Sequence, residues 1–157
     1  MTESETFSLM TPLAVATAVI TLTVVIHMLG LTALMATMQS RSRHIKPTQS
    51  LHRQGVFVVL VVMGLVLIHG IEIWLYAFVY LLLGAVGTVE EALYFSATTF
   101  TTLGYGDVIL ESRWRLVAAL EGVNGFLLLG WSTAFLVSVI SRLRSAELEW
   151  IDRLGED

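Results

Sequence analysis

At 157 residues, 55% hydrophobic and 14% charged, with a mean hydropathy of +0.77, the chain departs from soluble globular domains. Those average roughly 25% charged and 45–50% apolar residues, so the composition excludes them and indicates an integral membrane protein of a single domain. No cysteine is present, which excludes a disulfide framework and any thiolate metal site, and at a net charge of −4 no nucleic-acid partner is expected.

The chain opens MTESETFS, acidic where a cleavable signal would be basic, and the apolar run that follows is longer than a signal's. This terminus is expected to remain in the mature protein. Three apolar spans follow. Residues 6–40 carry no formal charge, with His27 as the one titratable group; residues 55–89 carry only Glu72, and residues 116–141 only Glu121. Each exceeds the roughly 20 residues a helix needs to cross a bilayer. In lipid the backbone must satisfy its own hydrogen bonds, which predicts helix for all three. A soluble bundle of buried helices would need polar faces that these spans lack.

Orientation follows from the basic residues. The connection 39–54 holds Arg41, Arg43, Lys46 and Arg53 with His44 and His52, and Arg142 and Arg144 follow the third span. Glu3 and Glu5 mark the other end. The positive-inside rule places the 39–54 loop and the carboxyl terminus in the cytoplasm and the amino terminus outside. The segment holding Glu90, Glu91, Asp107 and Glu111 then faces outward, with Arg113 and Arg115 as a smaller contrary pair. The basic loop suits anionic lipid, although topology alone accounts for it. The tail SRLRSAELEWIDRLGED reads as a short helix and a possible tetramer contact, and no span carries the repeated arginines of a voltage sensor.

Between the second and third spans, TVEEALYFSATTF predicts a short helix over 89–100. Thr88 caps it, Glu91 completes a capping box, and both glutamates sit where the helix dipole favours negative charge. About twelve residues cannot cross a bilayer. This helix is expected to dip in and stop, leaving unpaired carbonyls and about half a negative charge at its inner end, which attracts cations beside a water-filled cavity. Within the stretch TTFTTLGYGD, residues 98–107, the chain is then expected to return to the surface as an extended strand over Thr102 to Asp107. Irregular backbone at that depth must be buried in protein or line an aqueous path. If successive carbonyls are to face one axis, alternate residues need backbone angles that glycine adopts without penalty, and Gly104 and Gly106 stand at those positions. Thr102 adds a hydroxyl at the inner end, and Tyr105 is expected to point away from the axis and pack into the surrounding protein.

These residues resemble the potassium channel pore family, whose filter reads TVGYG with TLGYG as a common variant. The match runs through Thr102, Leu103, Gly104, Tyr105 and Gly106, with Asp107 after it and Thr101 before it. Tyr94 and Phe95 stand where the family has an aromatic cuff, and Gly125 where it has a gating-hinge glycine. The resemblance covers residues 56–141; VILES lacks the proline usual after the filter, and Thr98 replaces a glutamate common in bacterial members.

The resemblance implies two transmembrane helices flanking a re-entrant pore helix and a selectivity filter; with the first apolar span, which lies outside it, the chain is expected to be an all-α membrane protein with three transmembrane helices. Four copies are needed to surround an ion, so the simplest assembly is a homotetramer in the lipid bilayer. Its parts are 1–54, a first helix and basic loop; 55–141, the pore domain; and 142–157, a cytoplasmic tail. The function implied is passive, K+-selective conduction in a bacterial inner membrane, with no enzymatic activity and no organic cofactor. K+ ions would sit at the oxygens of Thr102, Leu103, Gly104 and Tyr105; Tyr94, Phe95, Thr98, Thr101 and Asp107 would support the filter. By alignment, Phe126, Leu129, Thr133 and Val137 line the cavity.

Ionisable groups at membrane depth are costly and paired or functional. His69 and Glu72 share a helical face, as a structural or proton-sensitive pair reaching toward Glu121 or Asn124, or as a solvated pair near the headgroups. Glu121 either braces the pore helix from behind or adds negative potential near the filter. His27 reads as a packed, hydrogen-bonded histidine. Rival functions are a poorly selective cation channel, a non-conducting regulatory subunit, and a metalloenzyme using His27, His69, Glu72 and Glu121, the last leaving the glycines unexplained.

Overall fold

Four helices carry the chain: α1 (Glu3–Ser42), α2 (Leu51–Leu82), α3 (Val89–Phe100) and α4 (Arg115–Leu154). The structure, a computed structural model, describes the backbone of residues 3–42 and 51–154 and the side chains of residues 9–38 and 55–145. The side chains of the basic loop, expected to suit anionic lipid, lie outside the described residues, as do those of tail residues 146–157. Three stretches are long and apolar enough to cross a membrane, Leu9–Met38, Gly55–Leu82 and Arg115–Ser145. The protein is an all-α integral membrane protein.

Each helix end has a local cause. The charge-free run suggested that the second span reaches residue 89, but α2 stops at Leu82. Gly84 takes a φ of 61°, its N–H bonds the Leu81 carbonyl at 3.0 Å, and the Ala85 N–H bonds the Tyr80 carbonyl at 2.9 Å. That pair of bonds around a left-handed glycine is the Schellman closure. At the start of α3 the Glu91 N–H donates to Thr88 Oγ1 at 3.2 Å, while the Glu91 carboxylate reaches back to the Gly87 N–H at 3.1 Å. The capping box is therefore present with its second arm one residue earlier than the standard form. The tail does not form a helix of its own, because α4 continues unbroken to Leu154.

α1 packs within its own chain along both α2 and α4, and α3 wedges between α2 and α4. Lipid tails are as apolar as leucine, so close packing and interhelical polar contacts hold such helices together. One core joins Ala16 and Val19 of α1 to Tyr76, Tyr80, Phe95, Phe100, Trp114 and Leu128. A second joins Leu31, Leu65 and Ile68 to Leu34, Phe135 and Leu136. Glycines form the notches between α1 and α2: a Cβ on Gly30 would lie 2.7 Å from the Ile68 side chain, and one on Gly64 2.9 Å from Leu34. Met63, Leu67, Trp74 and Phe78 of α2 remain exposed, the surface that lipid favours.

Candidate functional site

The end of α3 and the start of the return segment are one continuous device. Thr102 has a φ of 61°, its N–H donates to the Thr99 carbonyl at 2.9 Å, and the Gly104 N–H donates to the Thr98 carbonyl at 3.0 Å. A left-handed residue just past the cap is the common way to close a helix, so Thr102 ends α3; the extended strand expected over 102–107 is instead an irregular return segment, because its φ alternates into the left-handed region. Two of the carbonyls expected to be unpaired are therefore paired by the segment itself, while the helix dipole remains. Gly104 and Gly106 follow with φ of 53° and 79°. Left-handed residues thus recur at 102, 104 and 106, and the threonine joins an alternation that only the glycines had announced. Residues 101–107 are all exposed, Tyr105 at 68% and Leu103 at 61%.

The surrounding residues divide by partner. Tyr94 OH donates to Asp107 Oδ2 at 2.7 Å, tying α3 to the far end of the segment. Phe95 instead faces inward and meets Tyr80 edge-on, with centroids 5.3 Å apart. The hydroxyls of Thr98 and Thr101 return to their own helix, donating to the carbonyls of Phe95 and Ala97. The Tyr94 bond holds the Asp107 carboxyl below its usual range. A carboxyl with a lowered pKa keeps its bond above the ordinary value and loses it as pH falls through the lowered one. Tyr94→Phe is expected to move the Asp107 titration upward, read by carbon NMR of the labelled carboxyl. An unchanged midpoint would contradict this coupling.

Behind the segment a polar stripe runs through the bundle. Glu121 accepts from Tyr80 OH at 2.5 Å and meets Ser96 Oγ at 2.6 Å, and Ser96 Oγ also reaches the Ile73 carbonyl at 3.0 Å. The carboxyl therefore braces α3 from behind. Next, Asn124 Nδ2 donates to Thr23 Oγ1 at 2.8 Å and Tyr76 OH at 3.2 Å, which fastens α1 to α4 and α2. Farthest from Glu121, Glu72 lies 2.9 Å from His27 Nδ1 and 2.8 Å from His69 Nδ1, and His69 Nε2 lies 2.9 Å from Ser132 Oγ. Glu72 is fully buried, so the solvated reading fails, and its partners are the two histidines rather than Glu121 or Asn124. His27 is fully buried and meets Glu72 through Nδ1. Thr23, Tyr76, Tyr80, Ser96 and Ser132 were not anticipated.

On α4, Phe126, Thr133 and Val137 are exposed, and Leu129 between them is half-buried against the core. Gly125 is buried, and α4 runs through it as unbroken helix. A Cβ at Gly125 would collide with the carbonyl of Phe100 at the end of α3. Gly125→Ala is expected to force these backbones apart at about 1–3 kcal/mol, the usual cost of overpacking, and to lower the melting temperature of the purified protein. A hinge role alone would leave that temperature unchanged.

An all-α membrane protein whose half-helix and exposed return segment are set between two spanning helices has the architecture of a membrane channel. Residues 58–142, more than half of the chain, match the ion channel family model, and the chain belongs to that family. The chain matches no characterised protein and no solved structure.

Proposed function

We propose that the protein conducts K+ passively and selectively through a filter contributed by four identical chains. The observation that carries this reading is the alternation of left-handed residues at Thr102, Gly104 and Gly106. Such alternation lets the carbonyls of residues 102–105 face a common axis, where main-chain oxygens replace the hydration shell of the ion. One chain offers a single bare segment, exposed over residues 101–107, and a cyclic homotetramer encloses it. In that assembly Tyr105 packs into the neighbouring subunit, and the carboxyl end of α3 directs its negative dipole at the cavity. Phe126, Leu129, Thr133 and Val137 line the cavity, and Tyr94 and Asp107 fix the outer end of the segment. The orientation has the amino terminus outside and the carboxyl terminus in the cytoplasm of a bacterial inner membrane.

The test is the reversal potential of the purified protein in planar bilayers with K+ on one side and Na+ on the other. A potential near the K+ limit is expected. Equal permeabilities reduce the protein to a non-selective cation channel, and absence of current from the chain alone favours a regulatory subunit.

A further inference from the structure

One cluster among the described residues brings together the ligand types of a borderline divalent metal. His27 of α1 and His69 and Glu72 of α2 each offer a ligand atom within 4.8 Å of the others. Both imidazoles turn Nδ1 to the one carboxylate, at 2.9 and 2.8 Å. His27 and Glu72 are fully buried and His69 is 13% exposed. Two imidazoles and a carboxylate form a donor set of zinc sites that keep a fourth position open, and imidazole suits the later first-row divalent ions.

Hydrogen bonding alone explains only part of this cluster. An ionised carboxylate at membrane depth must be neutralised. His69 has a partner for each ring nitrogen, Glu72 and Ser132. His27 has one for Nδ1 only, and its Nε2 is the one buried side-chain nitrogen or oxygen without a partner among the described residues. Such orphaned atoms are rare and call for an explanation. A metal bond at Nδ1 would replace the contact of His27 with the carboxylate, leaving Nε2–H as the one donor of the site still to be paired. Metal-bound histidines usually fix their tautomer through the far N–H, and Ser132 stands at that place for His69. Trp131 packs beside His27 and Phe100 beside His69, with centroids 5.3 and 5.8 Å apart, walling the cluster off with aromatic rings.

We infer that His27, His69 and Glu72 bind a divalent transition-metal ion of the Zn2+ class, which pins α1 to α2 inside the membrane. The site goes beyond the proposed conduction and does not depend on it. The test uses the full-length, tag-free protein in lipid nanodiscs, stripped with chelator and titrated with Co2+. A saturable visible absorption at one Co2+ per chain, displaced by Zn2+, is the expected result. Glu72→Gln and His27→Gln abolish it, and Ser132→Ala weakens binding about 10-fold, as loss of an outer-shell partner does. No saturable absorption by the unaltered chain overturns the site, as does full binding by both ligand variants. If those variants fail to fold, X-ray absorption of the Zn2+-loaded chain decides alone. Two imidazoles and one carboxylate at about 2.0–2.2 Å, with a water in the open fourth position, support the site, and a shell lacking either imidazole or the carboxylate refutes it.

Discussion

Alanine at Gly104 or at Gly106 is expected to abolish selective conduction while leaving the protein in the membrane. Their φ values of 53° and 79° lie in the left-handed region, and a Cβ added at either would meet nothing in its own chain within 4 Å. The penalty is therefore conformational, about 1–2 kcal/mol per residue for an L-amino acid there. In the proposed ring of four chains the total would be about 4–8 kcal/mol per channel, enough for the segment to relax toward negative φ. Each relaxation turns one carbonyl per chain off the axis. Thr102 shows that a residue with a Cβ can hold such an angle, but it is clamped by the bonds from Thr102 N–H to Thr99 and from Gly104 N–H to Thr98. Gly106 lies beyond that clamp. Bi-ionic recordings beside a gel assay of assembly separate lost conduction from lost protein. Normal, selective current from Gly106→Ala, the position outside the clamp, would show that backbone angle does not set the filter.

How legible these features were in the sequence depended on whether one residue type announced each. The spans and α3 were readable because hydropathy and the Thr88–Glu91 pattern act locally. The end of α2 was not, since Gly84 closes the helix inside the apolar run LLLGAVG, where hydropathy continues unchanged. Gly104 and Gly106 were readable because few other residues explain paired glycines in a return segment. The left-handed angle at Thr102 was hidden, because it follows from how α3 caps itself. The ionisable groups were conspicuous one by one, yet their pairing depends on where α1 docks and how it is rotated. A spacing signal was available: 69, 72, 76 and 80 on α2, 121, 124 and 132 on α4, and 23 and 27 on α1 fall on single helical faces. Taken together, those faces point polar groups into the seam where the three helices meet.

Glu121→Leu is expected to dislodge α3 and end conduction, whereas Glu121→Gln should preserve both. The carboxyl is fully buried and links Tyr80 of α2 to Ser96 of α3. Leucine is close in volume but leaves the Tyr80 hydroxyl without its acceptor and Ser96 without one of its two partners. A buried polar group left unpaired costs about 1–3 kcal/mol; the Tyr80 hydroxyl is so left, while Ser96 keeps the Ile73 carbonyl, and the loss is set against the 5–15 kcal/mol that holds a typical protein folded. Glutamine keeps the contacts: its carbonyl accepts from Tyr80, its amide donates to Ser96 Oγ, and the single Ser96 proton goes to the Ile73 carbonyl, already 3.0 Å away. Thermal unfolding in detergent and K+ flux into liposomes read the two consequences separately. If the bracing is real, Ser96→Ala and Glu121→Leu will be non-additive, since both remove the same contact. Unfolding of Glu121→Leu at the temperature of the unaltered protein would mean that α3 is held by the apolar packing of its Phe95 and Phe100 on Tyr80 and Tyr76 alone.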